Sequence, residues 1–341
     1  MKHWFKSDNT APACPEVMQA LLDCNAGYAA AYGDDDWSRR LDAVFSEWFG
    51  TRVRVFPVAT GTAANATALA TLCPPYGAII THEHAHIVRD ECGAPEFMTG
   101  GARLLLARCA DGRISPAQLE ATLADNPANV HTVQPAVLSV TQATEFGTAW
   151  TPTALAAVCD TAHRHGLAVH MDGARFANAL VTLGCAPGDM TWRAGVDVLS
   201  FGATKNGALA AEAVIFFDPQ RTRDYEFRRK RSGHLLSKMR YVSAQLLAYV
   251  ESGAWQRNAA RANAGARRIG AAAGDCLLYP VDANEVFLRL PAARCEALRT
   301  QGFAFYDWGA AGSGEVRFVV SWDQPESDIA ALCTALQSGE T

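Results

Sequence analysis

No stretch of the 341-residue chain is apolar over the roughly 20 residues that a membrane-spanning helix requires. Positive charge is not in excess either. A formal net charge of -5 provides no basic face for nucleic acid or for an anionic lipid surface. The first residues, Met1-Lys2-His3-Trp4-Phe5-Lys6, contain neither the apolar stretch nor the small-residue cleavage site of a secretory leader. Of the ten cysteines, no two are spaced Cys-x-x-Cys, which argues against a zinc ribbon and against a disulfide framework. They read instead as small buried hydrophobes. A cytoplasmic protein in reducing surroundings is therefore expected. Repeats, linker-like tracts and low-complexity segments are also missing, apart from an alanine-rich helical pattern around 259–273.

What remains is ordinary globular material, 49% hydrophobic and 19% charged. The length suits one large domain with a smaller one beside it. Short apolar runs at Val53–Val58, Ala78–Thr81, Leu104–Leu106, Val137–Thr141, Leu167–Met171 and Val196–Phe201 read as strands, with helical patterns between them. Ala213–Phe217 reads as a late, antiparallel strand. Strands alternating with helices predict an α/β fold with a largely parallel sheet. Early helices are expected at Glu16–Cys24 and from a Ser38 cap to Gly50, and long helical patterns over roughly 235–273. The pattern then changes. Strands at Asn284–Leu290, Phe303–Tyr306 and Glu315–Val320, with helices at Ala292–Gln301 and from about Pro325, predict a small C-terminal α+β domain. The division is placed at 1–250 and 251–341.

Two stretches carry the strongest chemical signal. His170-Met171-Asp172-Gly173-Ala174-Arg175 follows one buried strand, and Phe201-Gly202-Ala203-Thr204-Lys205-Asn206-Gly207 follows the next. An aspartate and a lysine at neighbouring strand ends can point into one cleft. That pair is what pyridoxal phosphate (PLP) chemistry needs: an amine for the Schiff base and a carboxylate to hold the pyridinium nitrogen protonated. In isolation it is equally an ion pair at a sheet edge.

Further polar groups also fall at strand ends, where ligands of open α/β sheets sit. Gly61-Thr62 opens a helix directly after a strand, an arrangement that suits either a phosphate or simple capping. His82, His84 and His86 alternate after another strand. A zinc site would need a further ligand, and a single imidazole over a flat ring, His86, is preferred. Ser7-Asp8-Asn9-Thr10 reads as a turn or cap. The cluster Arg228-Arg229-Lys230-Arg231 is either a solvated face or a source of cations for a phosphate in a neighbouring subunit. Arg317 interrupts an apolar strand, and if it faces inward it needs an anionic partner.

In this order the segments Ser7-Asp8-Asn9, Tyr32-Gly33-Asp34-Asp35, Gly61-Thr62-Ala63-Ala64-Asn65, Ala85-His86-Ile87, Thr144-Glu145-Phe146-Gly147-Thr148, Asp172-Gly173-Ala174-Arg175 and Thr204-Lys205-Asn206-Gly207 resemble the PLP-dependent threonine aldolase family. That family lies in the β-eliminating lyase group of fold type I, aspartate-aminotransferase-like enzymes, and low-specificity bacterial members are the most similar. The resemblance implies a lyase that cleaves L-threonine, L-allo-threonine and related β-hydroxy-α-amino acids to glycine and an aldehyde. By resemblance, Lys205 carries PLP, Asp172 pairs with its ring nitrogen, and His86 stacks on the ring and serves proton transfer. Gly61, Thr62, Thr204 and Arg231 hold the phosphate, and Arg175 belongs to both the cofactor and the substrate sets. Ser7, Arg175 and Arg317 bind the substrate carboxylate, for which guanidinium forks are suited. Many members carry a second histidine where this chain has Thr144, which joins the substrate-binding set. The resemblance also implies a homo-oligomer, a dimer of dimers. The alternatives on the same scaffold are β-elimination and transamination, since fold does not fix chemistry.

Overall fold

The computed structural model describes residues 3–338. The short apolar runs form one sheet of seven strands: β1 (Arg54–Val58), β2 (Gly77–His82), β3 (Arg103–Ala107), β4 (Gln134–Thr141), β5 (Ala168–Gly173), β6 (Val198–Gly202) and β7 (Glu212–Phe216). Their spatial order is β1-β7-β6-β5-β4-β2-β3. The run from β3 through β6 is parallel, whereas β7 is antiparallel to both β6 and β1. Strands β2 and β6 are buried along their whole length, as expected of a sheet covered on both faces. The helix Gly61–Leu72 is buried from Ala63 to Ala70, so its alanines serve close packing against the sheet.

Phe201 anchors the other face. Its ring centroid lies 5.5 Å from that of Phe45, 5.6 Å from Trp48, 6.1 Å from Tyr249 and 6.2 Å from Phe176. These rings join helices from early, middle and late sequence to the strand that precedes Lys205.

Three local expectations need correction. The early helix runs Asp36–Phe49, and its cap is Asp35, not Ser38. Asp35 Oδ1 accepts the Ser38 backbone N–H at 2.8 Å, and Oδ2 accepts the Ser38 hydroxyl at 2.9 Å. A carboxylate three residues upstream therefore wins the capping position. The helical patterns expected from about 235 begin only at Arg240, and they form Arg240–Glu251 and Ala254–Ala273 with Gly253 at φ +71° between them. The run Phe303–Tyr306 divides into two short pairings instead of one strand.

The second sheet is antiparallel, with β8 (Glu285–Arg289), β9 (Tyr306–Asp307) and β10 (Glu315–Val319) in the order β9-β10-β8. Its core holds Val286, Leu288, Val316, Phe318, Ile329 and Leu332, together with Phe5 from the opposite end of the chain. His3–Trp4 pairs parallel with Phe303–Ala304, and the Phe5 carbonyl accepts the Val319 N–H at 2.8 Å. These bonds lay the residues that follow Phe5 between the two sheets.

Phe201→Ala is expected to lower the unfolding free energy by about 3–5 kcal/mol, because the surrounding rings cannot close the cavity. Urea denaturation checks this as a lower midpoint with an unchanged slope.

Candidate active site

Strands β2, β4, β5 and β6 end on one edge of the sheet, and the small sheet approaches that edge from the other side. Between them lies a cleft of about 440 Å³. Its wall includes Ser7, Gly61, His86, Asp172, Arg175, Lys205 and Arg317, brought together from across the chain. Two glycines allow the close approach. A Cβ on Gly202 would lie 2.7 Å from the Ala174 carbonyl oxygen, and one on Gly173 would lie 2.6 Å from Leu199 Cδ1. Without side chains at these points, the β5 and β6 ends carry Asp172 and Lys205 into one space.

Asp172 is held from both sides. Its Oδ1 accepts the Ala174 N–H at 2.9 Å, and its Oδ2 accepts an N–H of the Asn65 amide at 2.8 Å. Asn65 Nδ2 also donates to Glu91 Oε1 at 2.8 Å, and the same oxygen meets His86 Nδ1 at 2.8 Å. One amide thus links the aspartate to the histidine. The hydrogen bond to Glu91 is the main reason the His86 pKa is raised, against the opposing effect of burial.

Gly61 and Thr62 begin a 12-residue helix capped by Thr60, whose hydroxyl accepts the Ala63 N–H at 3.1 Å. The first N–H groups of a helix lack intrahelical partners. Nothing lies within 4 Å of a Cβ built on Gly61, so the space before these groups is open. Open N–H groups at a helix start, a buried carboxylate and a lysine on the wall of one cleft suit the phosphate, ring nitrogen and aldehyde of PLP.

The arginines are organised by buried carboxylates. Arg175 Nε and Nη2 donate to the two oxygens of Asp8 at 2.8 and 3.1 Å, and Nη1 lies 3.3 Å from Glu285 Oε2. Burial alone would lower the Arg175 pKa, but Asp8 and Glu285 reverse this and leave it raised. For Asp8, burial acts upward, yet Arg175 and Lys205 hold the carboxyl below its usual range. Arg317 faces inward with the anionic partner its position requires: Nη1 lies 3.5 Å from Glu285 Oε1. Its guanidinium also sits 5.0 Å from the Trp308 ring centroid, and its Nε is buried without a hydrogen-bond partner. Ser7 lines the cleft and also caps the short turn Asp8–Thr10, so both sequence readings of it apply.

Four expected side chains are not on the cleft wall. Thr62 lies beside Gly61 on the same first turn. Thr204 faces Ala211, its hydroxyl accepting that residue's N–H at 3.2 Å and lying 3.4 Å from its carbonyl oxygen. The Glu212 carboxylate is hydrogen-bonded to Thr204 as well, so this side chain is engaged by the segment leading into β7. Thr144 is wholly buried, its hydroxyl 2.7 Å from that of Thr148 and turned toward the Asp111 carbonyl. The tight turn after β4 engages that hydroxyl, and Thr144 does not line the cleft. Arg231 is exposed in a separate depression with Phe97, Phe227 and Arg228. It gives no contact to this cleft of its own chain.

Several polar residues of the site were missed. Asn65 lies one helical turn beyond Gly61, and that i, i+4 spacing could have revealed it. Glu91 and Glu145 stood near or inside quoted segments without a role. Glu285 arrives from the three-stranded sheet and carries no local signal.

A mostly parallel seven-stranded sheet with one reversed strand, an aspartate ending one strand and a lysine following the next is the architecture of fold type I PLP-dependent enzymes. Serine palmitoyltransferase from Sphingomonas wittichii shares this fold, with a TM-score of 0.74 at 16% identity over 99% of this chain and 86% of its own. A sequence model of the β-eliminating lyase family matches residues 5–292, and the chain belongs to that family. It is 43% identical over 338 residues to the low specificity L-threonine aldolase of Pseudomonas sp. (strain NCIMB 10558), covering 98% of this chain and 97% of the relative. It is 44% identical over 323 residues to the low specificity L-threonine aldolase of Pseudomonas aeruginosa, covering 94% and 92%. The structure of Leishmania major threonine aldolase superposes with a TM-score of 0.92 at 25% identity over 98% of this chain and 99% of that one.

NMR titration of the cofactor-free protein is expected to place His86 above the ordinary value of 6.5, and Glu91→Gln is expected to bring it down. The pair contributes fully to stability below the unfolded-state value, and the contribution is lost as pH rises through the raised folded-state value. A wild-type advantage in thermal stability over Glu91→Gln should therefore shrink toward alkaline pH.

Proposed function

We propose that this protein is a PLP-dependent aldehyde-lyase that cleaves L-threonine, L-allo-threonine and related β-hydroxy-α-amino acids to glycine and an aldehyde. The observation that carries the reading is one cleft holding Lys205, Asp172 and the Arg175–Arg317 pair together. The names of the Pseudomonas and Leishmania relatives support the choice of reaction. Lys205 supplies the amine that anchors the cofactor's aldehyde carbon, and Asp172 holds the ring nitrogen. The N–H groups of Gly61 and Thr62 receive the phosphate, while His86 covers the ring. When bound, the cofactor supplies an electron sink for the pair left on Cα as the Cα–Cβ bond breaks.

The substrate carboxylate is assigned to Ser7 and Arg317. Arg317 retains an unpartnered Nε, whereas all three Arg175 nitrogens already face Asp8 or Glu285. Arg175 then acts as the fixed cation behind the site. Holding the carboxylate would fix rotation about the substrate Cα–N bond and so select which bond at Cα is cleaved once the cofactor is bound. The further reading is a cytoplasmic dimer of dimers. It is supported by ten unpaired cysteines and by the exposed Phe97 and Phe227 beside the basic cluster. Among the described residues, no helix is long and apolar enough to cross a membrane.

The PLP-loaded protein given L-threonine should release acetaldehyde and glycine in equal amounts, and Lys205→Ala should release neither. Pyruvate and ammonia from L-serine, without any aldehyde from threonine, would place the chemistry in β-elimination instead.

A further inference from the structure

We propose that Glu145 is the proton carrier of this site, a reading that rests on the aldol cleavage above: its carboxylate takes the proton of the substrate β-hydroxyl as the Cα–Cβ bond breaks, and returns it to Cα. Glu145 lies in the turn after β4 and lines the cleft with His86, Asp172 and Lys205. Its two oxygens differ. Oε1 is committed, accepting the His86 backbone N–H at 2.8 Å and the Thr141 hydroxyl at 2.9 Å. Oε2 is buried and has no hydrogen-bond partner. A buried carboxylate oxygen is rarely left unsatisfied, and because Glu145 lines the ligand cleft the missing partner matches a donor brought by the ligand. A β-hydroxyl is such a donor.

The charged and titratable neighbours set its behaviour. Asp172 ends the adjoining strand, His86 and Glu91 come from the segment after β2, and Cys109 follows β3. Arg175 and Lys205 share the cleft. Burial first, and Asp172 second, push the Glu145 carboxyl up to about 7. Both protonation states are then present near neutrality, the condition for exchanging protons in each direction. His86 is less suited to accept a proton. Glu91 occupies its Nδ1 and favours the charged ring, which has no free lone pair.

The step balances. The O–H electron pair becomes the carbonyl π-bond of the aldehyde, and the Cα–Cβ pair stays with Cα. The proton held by Glu145 then completes glycine, with none gained or lost overall.

Glu145→Gln tests this, because glutamine retains an oxygen for the His86 N–H and the Thr141 hydroxyl while losing the ionisable group. The expected result is a kcat for L-threonine about 10²–10⁴-fold lower, with KM within about threefold of wild type. Cofactor affinity and absorbance should be unchanged, and exchange of the glycine α-protons in D₂O should fall in parallel. The acidic limb of the kcat/KM profile near pH 7 should disappear, and Glu145→Asp should recover part of the rate. The cofactor-free protein offers a separate readout. A carboxyl whose value rises from 4.5 unfolded to about 7 folded costs stability as pH increases through that window. Glu145→Gln should thus match wild type in Tm near pH 4 and exceed it at pH 8. A Gln variant that keeps more than about a third of the wild-type kcat, or that loses cofactor binding in step with activity, overturns the assignment. Wild-type protein that forms pyruvate but no aldehyde overturns the aldolase reading itself, and the Glu145 role with it.

Discussion

The pairing of Arg175 with Asp8 and Glu285 ties three distant parts of the chain into one site. Asp8 belongs to the N-terminal segment, Arg175 follows β5, and Glu285 begins β8 of the small sheet. A guanidinium and two carboxylates with so little solvent cannot be separated cheaply, since removing one partner leaves an uncompensated buried charge. The three segments are therefore held in register, and the cleft exists only where they meet. Asn284 adds to the same junction, donating from its amide to Asp8 Oδ2 at 3.0 Å and to the Val320 carbonyl at 2.8 Å.

A second network sets the chemistry. Asn65 joins Asp172 to Glu91, Glu91 joins His86, and the His86 backbone joins Glu145. Four acidic or imidazole groups are thereby placed by a single amide and one loop. Their pKa values diverge for local reasons: His86 is raised by its carboxylate partner, whereas Glu145 is raised by burial and by Asp172. A site that separates such groups can hold one charge in place while another moves a proton. Glu212, hydrogen-bonded to Thr204 and within electrostatic reach of Lys205, is likewise pushed up to about 7 by burial first.

Much of the fold was legible because its strands are short apolar runs with clear stops, and their order in sequence suits right-handed crossovers. Ala213–Phe217 is expected as a late reversed strand, and the structure forms it over Glu212–Phe216, antiparallel to both neighbours. The misses were local competitions. Asp35 displaced Ser38 as a cap, and the Thr144 hydroxyl was spent on its own turn. In each case a nearby hydrogen bond, invisible to hydrophobic patterning, decided between candidates of similar propensity.

Sequence by itself determined the parallel sheet and put Asp172 and Lys205 at the ends of neighbouring strands, because strand ends are where polar residues interrupt apolar periodicity. Only the tertiary structure decided which polar side chains share the cleft and what each is free to do. It placed Glu285 opposite Arg175, left Arg317 Nε and Glu145 Oε2 without partners, and turned Thr204 toward Ala211. Pairing of buried polar atoms is a long-range matter, settled when segments hundreds of residues apart are packed against one another, and no local pattern encodes it.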